Sequence, residues 1–302
     1  MNENYGTIES LKVTVLLEEQ AGYDSGLLAQ HGVSFLLEAG YGKNSSEGRT
    51  ILFDTGQFAK PVLYNMEVLQ VSPQEIDYII LSHCHYDHTG GLVGILNTIN
   101  RCRVPIVAHP ELHRPHYTAK PDLKPVGMEP QSTPEAIKEA GGEMILTDEP
   151  LPLMPGVITT GEIKERVDFE KSPTLALKTL QEGKLVSDQM KDDISLILIM
   201  PEGLVIVTGC AHAGIVSIVD KAIRLTGVEQ VAAVIGGFHL IDGKDERIDK
   251  TLDALKAKNI GKIYAGHCTG FKAEAKMLME FGNRFSKLHT GMKITFPGQT
   301  NY

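Results

Sequence analysis

The stretch from Ile76 to Gly91 constrains this chain more than any other. An apolar run, Ile76-Asp77-Tyr78-Ile79-Ile80-Leu81, passes directly into Ser82-His83-Cys84-His85-Tyr86-Asp87-His88-Thr89-Gly90-Gly91. A buried strand that ends this way delivers imidazoles and a carboxylate to a sheet edge, where loops carry chemistry. Neutral imidazole is the commonest nitrogen ligand for zinc, and carboxylate oxygens suit zinc, iron and manganese. A plain polar turn would be written with Gly, Asn or Pro rather than with imidazoles at fixed spacing. The pattern points to a metal site.

Composition narrows the partners. The 302 residues carry 29 basic and 38 acidic side chains, a net charge of −9, which argues against nucleic acid as the main partner. Trp is absent and aromatic residues make up 6%, too few for platforms that stack bases. The opening Met1-Asn2-Glu3-Asn4-Tyr5-Gly6 lacks the basic and apolar regions of a secretory leader. No apolar run reaches the roughly 18 residues of a membrane span. Cys84, Cys210 and Cys268 each lie within two residues of a candidate ligand histidine, unlike a disulfide framework, so reduced thiols and a cytoplasmic setting are expected.

Along the chain, Leu11–Glu18, Val33–Glu38 and Arg49–Asp54 read as strands of a meander, with a turn over Gly40–Gly48. A helix near Lys60–Leu69 follows, then a second helix start at Val71–Glu75 with Ser72 as N-cap and Pro73 at its first position. The strand Ile76–Leu81, the helix Leu92–Ile99 and the strand Pro105–Ala108 complete the first half. From Pro110 to Pro155 the sequence holds most of the chain's 15 prolines. It reads as a long loop or cap with one clear element, Pro134–Ala140, and loops of such length in a compact enzyme are usually functional.

The second half repeats the layout. A hairpin, Asp193–Met200 and Leu204–Thr208, leads into Gly209-Cys210-Ala211-His212 and a helix at Ile215–Leu225. The strand Gln230–Ile235 ends in Gly236-Gly237-Phe238-His239. Ile248–Lys256 reads as a helix, and Ile263–Ala265 as a strand ending in Gly266-His267-Cys268. A helix at Ala273–Phe281 and a strand near Met292–Phe296 close the chain. Strands in two groups, each a meander followed by β–helix–β units, suggest two sheets packed face to face with helices outside. Length alone allows one large domain or two small ones; the layout favours a single domain over 1–302 with an insertion at about 110–155. Several strand ends thus carry histidines or acids: Asp54, the 83–88 cluster, Cys210 with His212, His239 and His267.

His83-x-His85-x-Asp87-His88 after an apolar strand, with Asp54-Thr55-Gly56 upstream, resembles the metallo-β-lactamase superfamily. The likeness covers most of the chain. It implies an α/β fold, a four-layer αββα sandwich of two mixed sheets, and two divalent metal ions, zinc first, with iron or manganese as alternatives. By that resemblance His83 and His85 hold one metal, Asp87 and His88 a second, and His267 completes the second site. Asp54 looks like the buried acid that supports the ligand loop. The middle of the pattern departs from the family, which usually has Gly-His-Thr before the hairpin and an acid after it. Here Cys210 stands in the place of the bridging acid, as a thiolate ligand or a small buried residue. His212 is the candidate for the third histidine of the first metal, with Asp192 or Asp193 as rivals.

Gln30-His31-Gly32, Thr160-Gly161-Glu162-Ile163, Gly236-Gly237-Phe238-His239-Leu240 and His267-Cys268-Thr269-Gly270 are similar to the group called superfamily II metal-dependent hydrolases. The resemblance implies a hydrolase of an ester, lactone or phosphoester, acting through a metal-bound hydroxide. That group includes an archaeal dihydropteroate-synthase-like transferase, so the alternative is coupling of a dihydropterin-methyl diphosphate to a ribofuranosyl-aminobenzene phosphate. Asp87 would orient the nucleophile and His239 would move a proton. His31, Arg114 and Arg166 are candidate substrate contacts, with His113 and Lys120 as further phosphate contacts. The partner expected is a small molecule, phosphorylated in the transferase reading, with no nucleic acid and no membrane. A di-iron oxygen or NO reductase would need a fused flavin domain, and a tRNA nuclease a basic arm; neither fits this chain.

Overall fold

A computed structural model describes residues 5–41, 48–171 and 176–296. The N-terminal reading and the Gly40–Gly48 turn lie largely outside the described residues. The first sheet runs, in spatial order, Lys293–Phe296, Ser10–Leu17, Ser34–Gly40, Arg49–Phe53, Tyr78–Ile80, Val104–Ala108 and Gly142–Leu146. The second runs Phe285–Lys287, Lys262–Gly266, Val231–Gly237, Gly203–Thr208, Leu196–Met200, Val157–Thr159 and Pro152–Met154. Both are mixed: antiparallel in the meander and parallel where a helix connects the strands.

Period-2 alternation of apolar residues makes these strands two-faced. Phe35, Leu37, Ile51 and Phe53 point to the space between the sheets, where they meet Leu196, Leu198, Val205 and Val207 of the second sheet. Leu36 and Leu52, one residue out of phase, pack beneath the helices Ala59–Val68 and Leu92–Ile99. On the far side Ile197, Leu204 and Ile206 pack beneath Ile215–Thr226, Asp245–Ala257 and Phe271–Phe281. The αββα sandwich follows from those three cores.

Three local expectations change. Val71–Glu75 starts no α-helix; Pro73–Glu75 forms one 3-10 turn, and Ser72 Oγ donates to Gln74 Oε1 instead of capping. The segment 110–155 is less loop-like than its prolines suggest. Besides the helix Pro134–Glu139 it supplies an edge strand to each large sheet, Gly142–Leu146 and Pro152–Met154. Proline is tolerated there because an edge strand does not need every N–H. The third change is a small sheet, ordered Lys184–Ser187, Leu177–Gln181, His116–Thr118 and Lys124–Pro125. Its strands are short, and Leu180 and Leu185 are exposed, so they carry little apolar signal.

The topology sets the site. The strands that end at Phe53, Ile80, Thr208, Gly237 and Gly266 release their chains on one edge of the sandwich. Their loops carry Asp54, His83 to His88, Cys210, His239 and His267. Carboxyl ends of parallel strands are the usual place for a site in α/β sheets.

Candidate metal centre

The ligand loop is tied down from below. Asp54 is fully buried and accepts from the Ser82 amide at 2.7 Å and the Ser82 hydroxyl at 2.7 Å, while its Oδ2 lies 2.6 Å from His88 Nδ1. One carboxylate therefore fixes both ends of the 82–88 turn, a supporting role rather than a ligand's. Gly209 has to be glycine for this packing, since a Cβ there would fall 2.1 Å from Ser82 Oγ. Asp192 Oδ2 accepts from the Cys84 amide at 2.8 Å, and Asp193 Oδ2 from the Ala213 amide at 2.6 Å. Both acids hold the candidate donor loops from behind through those bonds, and His212 is the residue placed beside His83 and His85.

His83, His85 and His212 converge. His85 Nδ1 lies 2.9 Å from His83 Nε2 and 3.2 Å from His212 Nε2. All three rings are buried, and burial together with the neighbouring imidazoles lowers the pKa of each well below the usual value. Three imidazole nitrogens turned on one another cannot all be satisfied by protons, so the arrangement suits a cation at their centre. The other ring nitrogens of His83 and His85 are held as those of metal-bound histidines usually are. His83 Nδ1 is 2.8 Å from Ser82 Oγ, and His85 Nε2 is 2.9 Å from His116 Nε2. His116 in turn meets Asp188 at 2.8 Å.

A second donor set stands beside it. Asp87 Oδ2 lies 3.4 Å from His88 Nε2 and 3.3 Å from His267 Nε2. Burial works against a charged His88, but Asp87 and Asp54 outweigh it and push the ring up to about 9. His267 is raised for the same reason despite its burial, with Cys268, Asp87 and Glu19 opposing the desolvation. Cys210 Sγ is 3.1 Å from His88 Nε2, which puts the thiol between the two sets. Glu18 and Glu19 anchor His267: Glu18 Oε1 accepts from the His267 amide at 2.8 Å, and Glu19 Oε1 is 3.1 Å from His267 Nδ1.

A cavity of about 260 Å³ opens over both sets, lined by Tyr86, Asp87, Cys210, His212, His239 and His267 among others. Thr118, Val126 and Leu177 close one side from the small sheet. His239 is buried on its wall, in a positive-φ turn at 42°, and neither ring nitrogen has a hydrogen-bond partner among the described residues. Of the candidate substrate contacts, only His31 lines the cavity, with Nδ1 2.6 Å from Glu19 and Nε2 3.4 Å from Asp87. Arg114 is turned inward onto Asp188 and Asp192, and Arg166 donates to the carbonyls of Ile163, Gln189 and Met190. Neither lines the cavity, and these contacts hold both side chains away from it, which corrects the expectation of a phosphate clamp there. His113 faces the Ser132 carbonyl.

Sequence reasoning missed His116, Asp188, Glu19 and Cys268. Glu18-Glu19 at a strand end carried the same signal as Asp54. His116 and Asp188 had no local signal, because their pairing exists only once the small sheet forms.

Asp193 offers a stability test. Burial raises its carboxyl to about 7 against opposing contacts from the Ala213 amide and Arg166, and its Oδ1 has no partner. A carboxyl with a raised folded pKa holds its proton longer in the native state, so stability falls as pH climbs from about 4 through about 7. Asp193→Asn keeps the acceptor for Ala213 and removes the charge. The variant is expected to gain on wild type by roughly 2–4 kcal/mol at pH 8 relative to pH 4, read from urea midpoints.

Fold and donor sets together define a class. A model of the metallo-beta-lactamase superfamily matches residues 30–267, and the chain belongs to that superfamily. It is 45% identical to the 7,8-dihydropterin-6-methyl-4-(beta-D-ribofuranosyl)-aminobenzene-5'-phosphate synthase of Methanocaldococcus jannaschii, over 97% of this chain and 99% of that one. An uncharacterized protein of the same organism, MJ0448, is 30% identical over 88% of this chain and 93% of its own. Among solved structures, the fold is similar to that of Tm1679, a metal-dependent hydrolase of the beta-lactamase superfamily, with TM-score 0.78, 22% identity, and coverage of 95% and 99%.

Proposed function

We propose that the chain is a metal-dependent transferase that couples a dihydropterin-methyl diphosphate to a (ribofuranosyl)aminobenzene phosphate. The observation that carries this reading is the 45% identity to the synthase over nearly the full length of both chains. The hydrolase reading has support only from fold likeness at 22% identity, which speaks to architecture and not to reaction.

In this reading the aromatic amine attacks the pterin's exocyclic methylene carbon, a C–N bond forms, the C–O bond to diphosphate breaks, and the amine gives up a proton. His83, His85 and His212 would hold one divalent cation, and Asp87, His88 and His267 another, with Cys210 between. Bound cations, zinc first with iron or manganese as alternatives, would supply Lewis-acid charge for the departing diphosphate. Asp87 orients the incoming amine from the cavity floor. His239, with both ring nitrogens unpartnered, takes the proton that the amine loses. His31 at the mouth contacts the phosphorylated substrate. Thr118, Val126 and Leu177 exclude water from the reacting carbon, so that hydrolysis of the diphosphate does not compete. The insertion at 110–155 serves as the cap over this cavity, and a cytoplasmic setting remains part of the proposal.

Incubation of the metal-reconstituted protein with both substrates should yield the coupled product by mass, with one diphosphate released per coupling. Turnover of generic lactones or phosphodiesters without any coupling would replace the transferase with the hydrolase.

A further inference from the structure

The wall of the cavity carries a third donor set, which shares only Cys210 with the two histidine-rich sets. Cys210, His239 and Cys268 are 3%, 6% and 9% exposed, and one ligand atom from each lies within 4.8 Å of the others. All three line the cavity. The positions are held by backbone: the His239 amide donates to Cys268 Sγ at 3.3 Å, and Cys268 Sγ donates to the Cys210 carbonyl at 3.6 Å. Gly237 leaves room for that sulfur, since a Cβ there would sit 2.6 Å from it.

One feature asks for a ligand. His239 is more than nine-tenths buried with Nδ1 and Nε2 both unpartnered among the described residues, a cost of about 1–3 kcal/mol per group when nothing meets it.

We infer that Cys210, His239 and Cys268 form a further metal site, which takes a thiophilic divalent cation of the zinc class and, while filled, withdraws His239 from its role as base in the proposed coupling. Sulfur and imidazole donors select zinc or cadmium over magnesium and manganese, whereas the Asp87 set includes a carboxylate that suits harder ions. Three protein ligands leave the fourth tetrahedral position open toward the cavity. Cys210 is the hinge of the arrangement, because its sulfur also lies 3.1 Å from His88 Nε2. Cys210 thus serves this sulfur-based site and also lies between the two histidine-rich sets.

The test uses the full chain, reduced and stripped of metal, titrated with Co²⁺ or Cd²⁺ while near-ultraviolet thiolate-to-metal absorption is followed. Cys268→Ser should cut that absorption by about half, one of two thiolates having gone, and His239→Ala should weaken the sulfur-bound metal by about tenfold or more. Mn²⁺ should give no thiolate signal. A second measurement needs no variant. Cadmium should protect Cys210 and Cys268 together from alkylation, read peptide by peptide, while exposed Cys102 reacts throughout as the internal reference. Full absorption in Cys268→Ser, equal alkylation of Cys268 with and without cadmium, or a Cys210–Cys268 disulfide in protein prepared under reductant would each overturn the site. Loss of coupling activity with intact thiolate absorption would instead remove only the transferase reading.

Discussion

Replacing His85 by alanine is expected to lower the metal content by about one equivalent and the rate of the proposed coupling by about 10²–10³-fold, the scale of losing a group that stabilises developing charge. His85 is the ring that touches both other members of its set, through Nδ1 at 2.9 Å and 3.2 Å. Without it, His83 and His212 remain as two donors, below the three protein ligands that zinc ordinarily needs. Its Nε2 also meets His116, so the substitution leaves the Asp188–His116 pair with nothing to orient. His116→Ala is the informative partner variant. It keeps every ligand of the set and loses only the support, for which about 10–100-fold in affinity or activity is expected. Metal analysis of the purified variants, with rates measured beside it, gives both numbers. A His85→Ala protein with full metal content and rate would sink the site assignment.

Much of the fold was legible because both signals it needed are local. Alternation in Phe35 to Leu37 and in Ile51 to Phe53 marks two-faced strands, and the apolar spacing of Leu92–Ile99 marks a helix whose bounds the structure reproduces. The candidate donor cluster was legible because its histidines and aspartate sit within one turn of chain. What sequence could not display is pairing between distant segments. The small sheet joins 116–125 to 177–187, and each strand alone is too short and too exposed to announce itself. Arg114 shows the same limit from the other side. An arginine in a proline-rich segment reads as a solvent-facing phosphate contact, and only the approach of 188–192 reveals where its charge goes. Cys268 reads as an ordinary thiol beside His267, since nothing in its sequence neighbours shows that His239 will lie against it.

Arg114→Ala is expected to destabilise the protein by about 3–5 kcal/mol, the usual result of removing one partner from a buried ion pair. The guanidinium is 9% exposed and spans two carboxylates, with Nε 2.6 Å from Asp188 Oδ2 and Nη1 2.7 Å from Asp192 Oδ2. Burial opposes its charge, but the two acids hold its pKa above the usual arginine value. Burial alone would likewise raise the Asp188 carboxyl, whereas the hydrogen bonds from His116 and Arg114 keep it well below the ordinary range. A carboxyl with a depressed folded pKa contributes stability above its unfolded value of about 3.9 and loses it as pH falls through the folded one. The gap between wild type and variant should therefore be full at pH 7 and shrink in acid below about pH 4. Arg114→Lys should recover only part of it, because a point charge cannot span both acids as a planar fork does. Urea midpoints across pH read all of this. The competing role predicts otherwise: a phosphate-binding Arg114 would raise the KM for the phosphorylated substrate while leaving the midpoint unmoved. The two acids it neutralises hold the Cys84 amide and His116, one at the ligand turn itself and one against His85. Loss of the arginine should therefore also loosen metal binding, in step with the fall in stability.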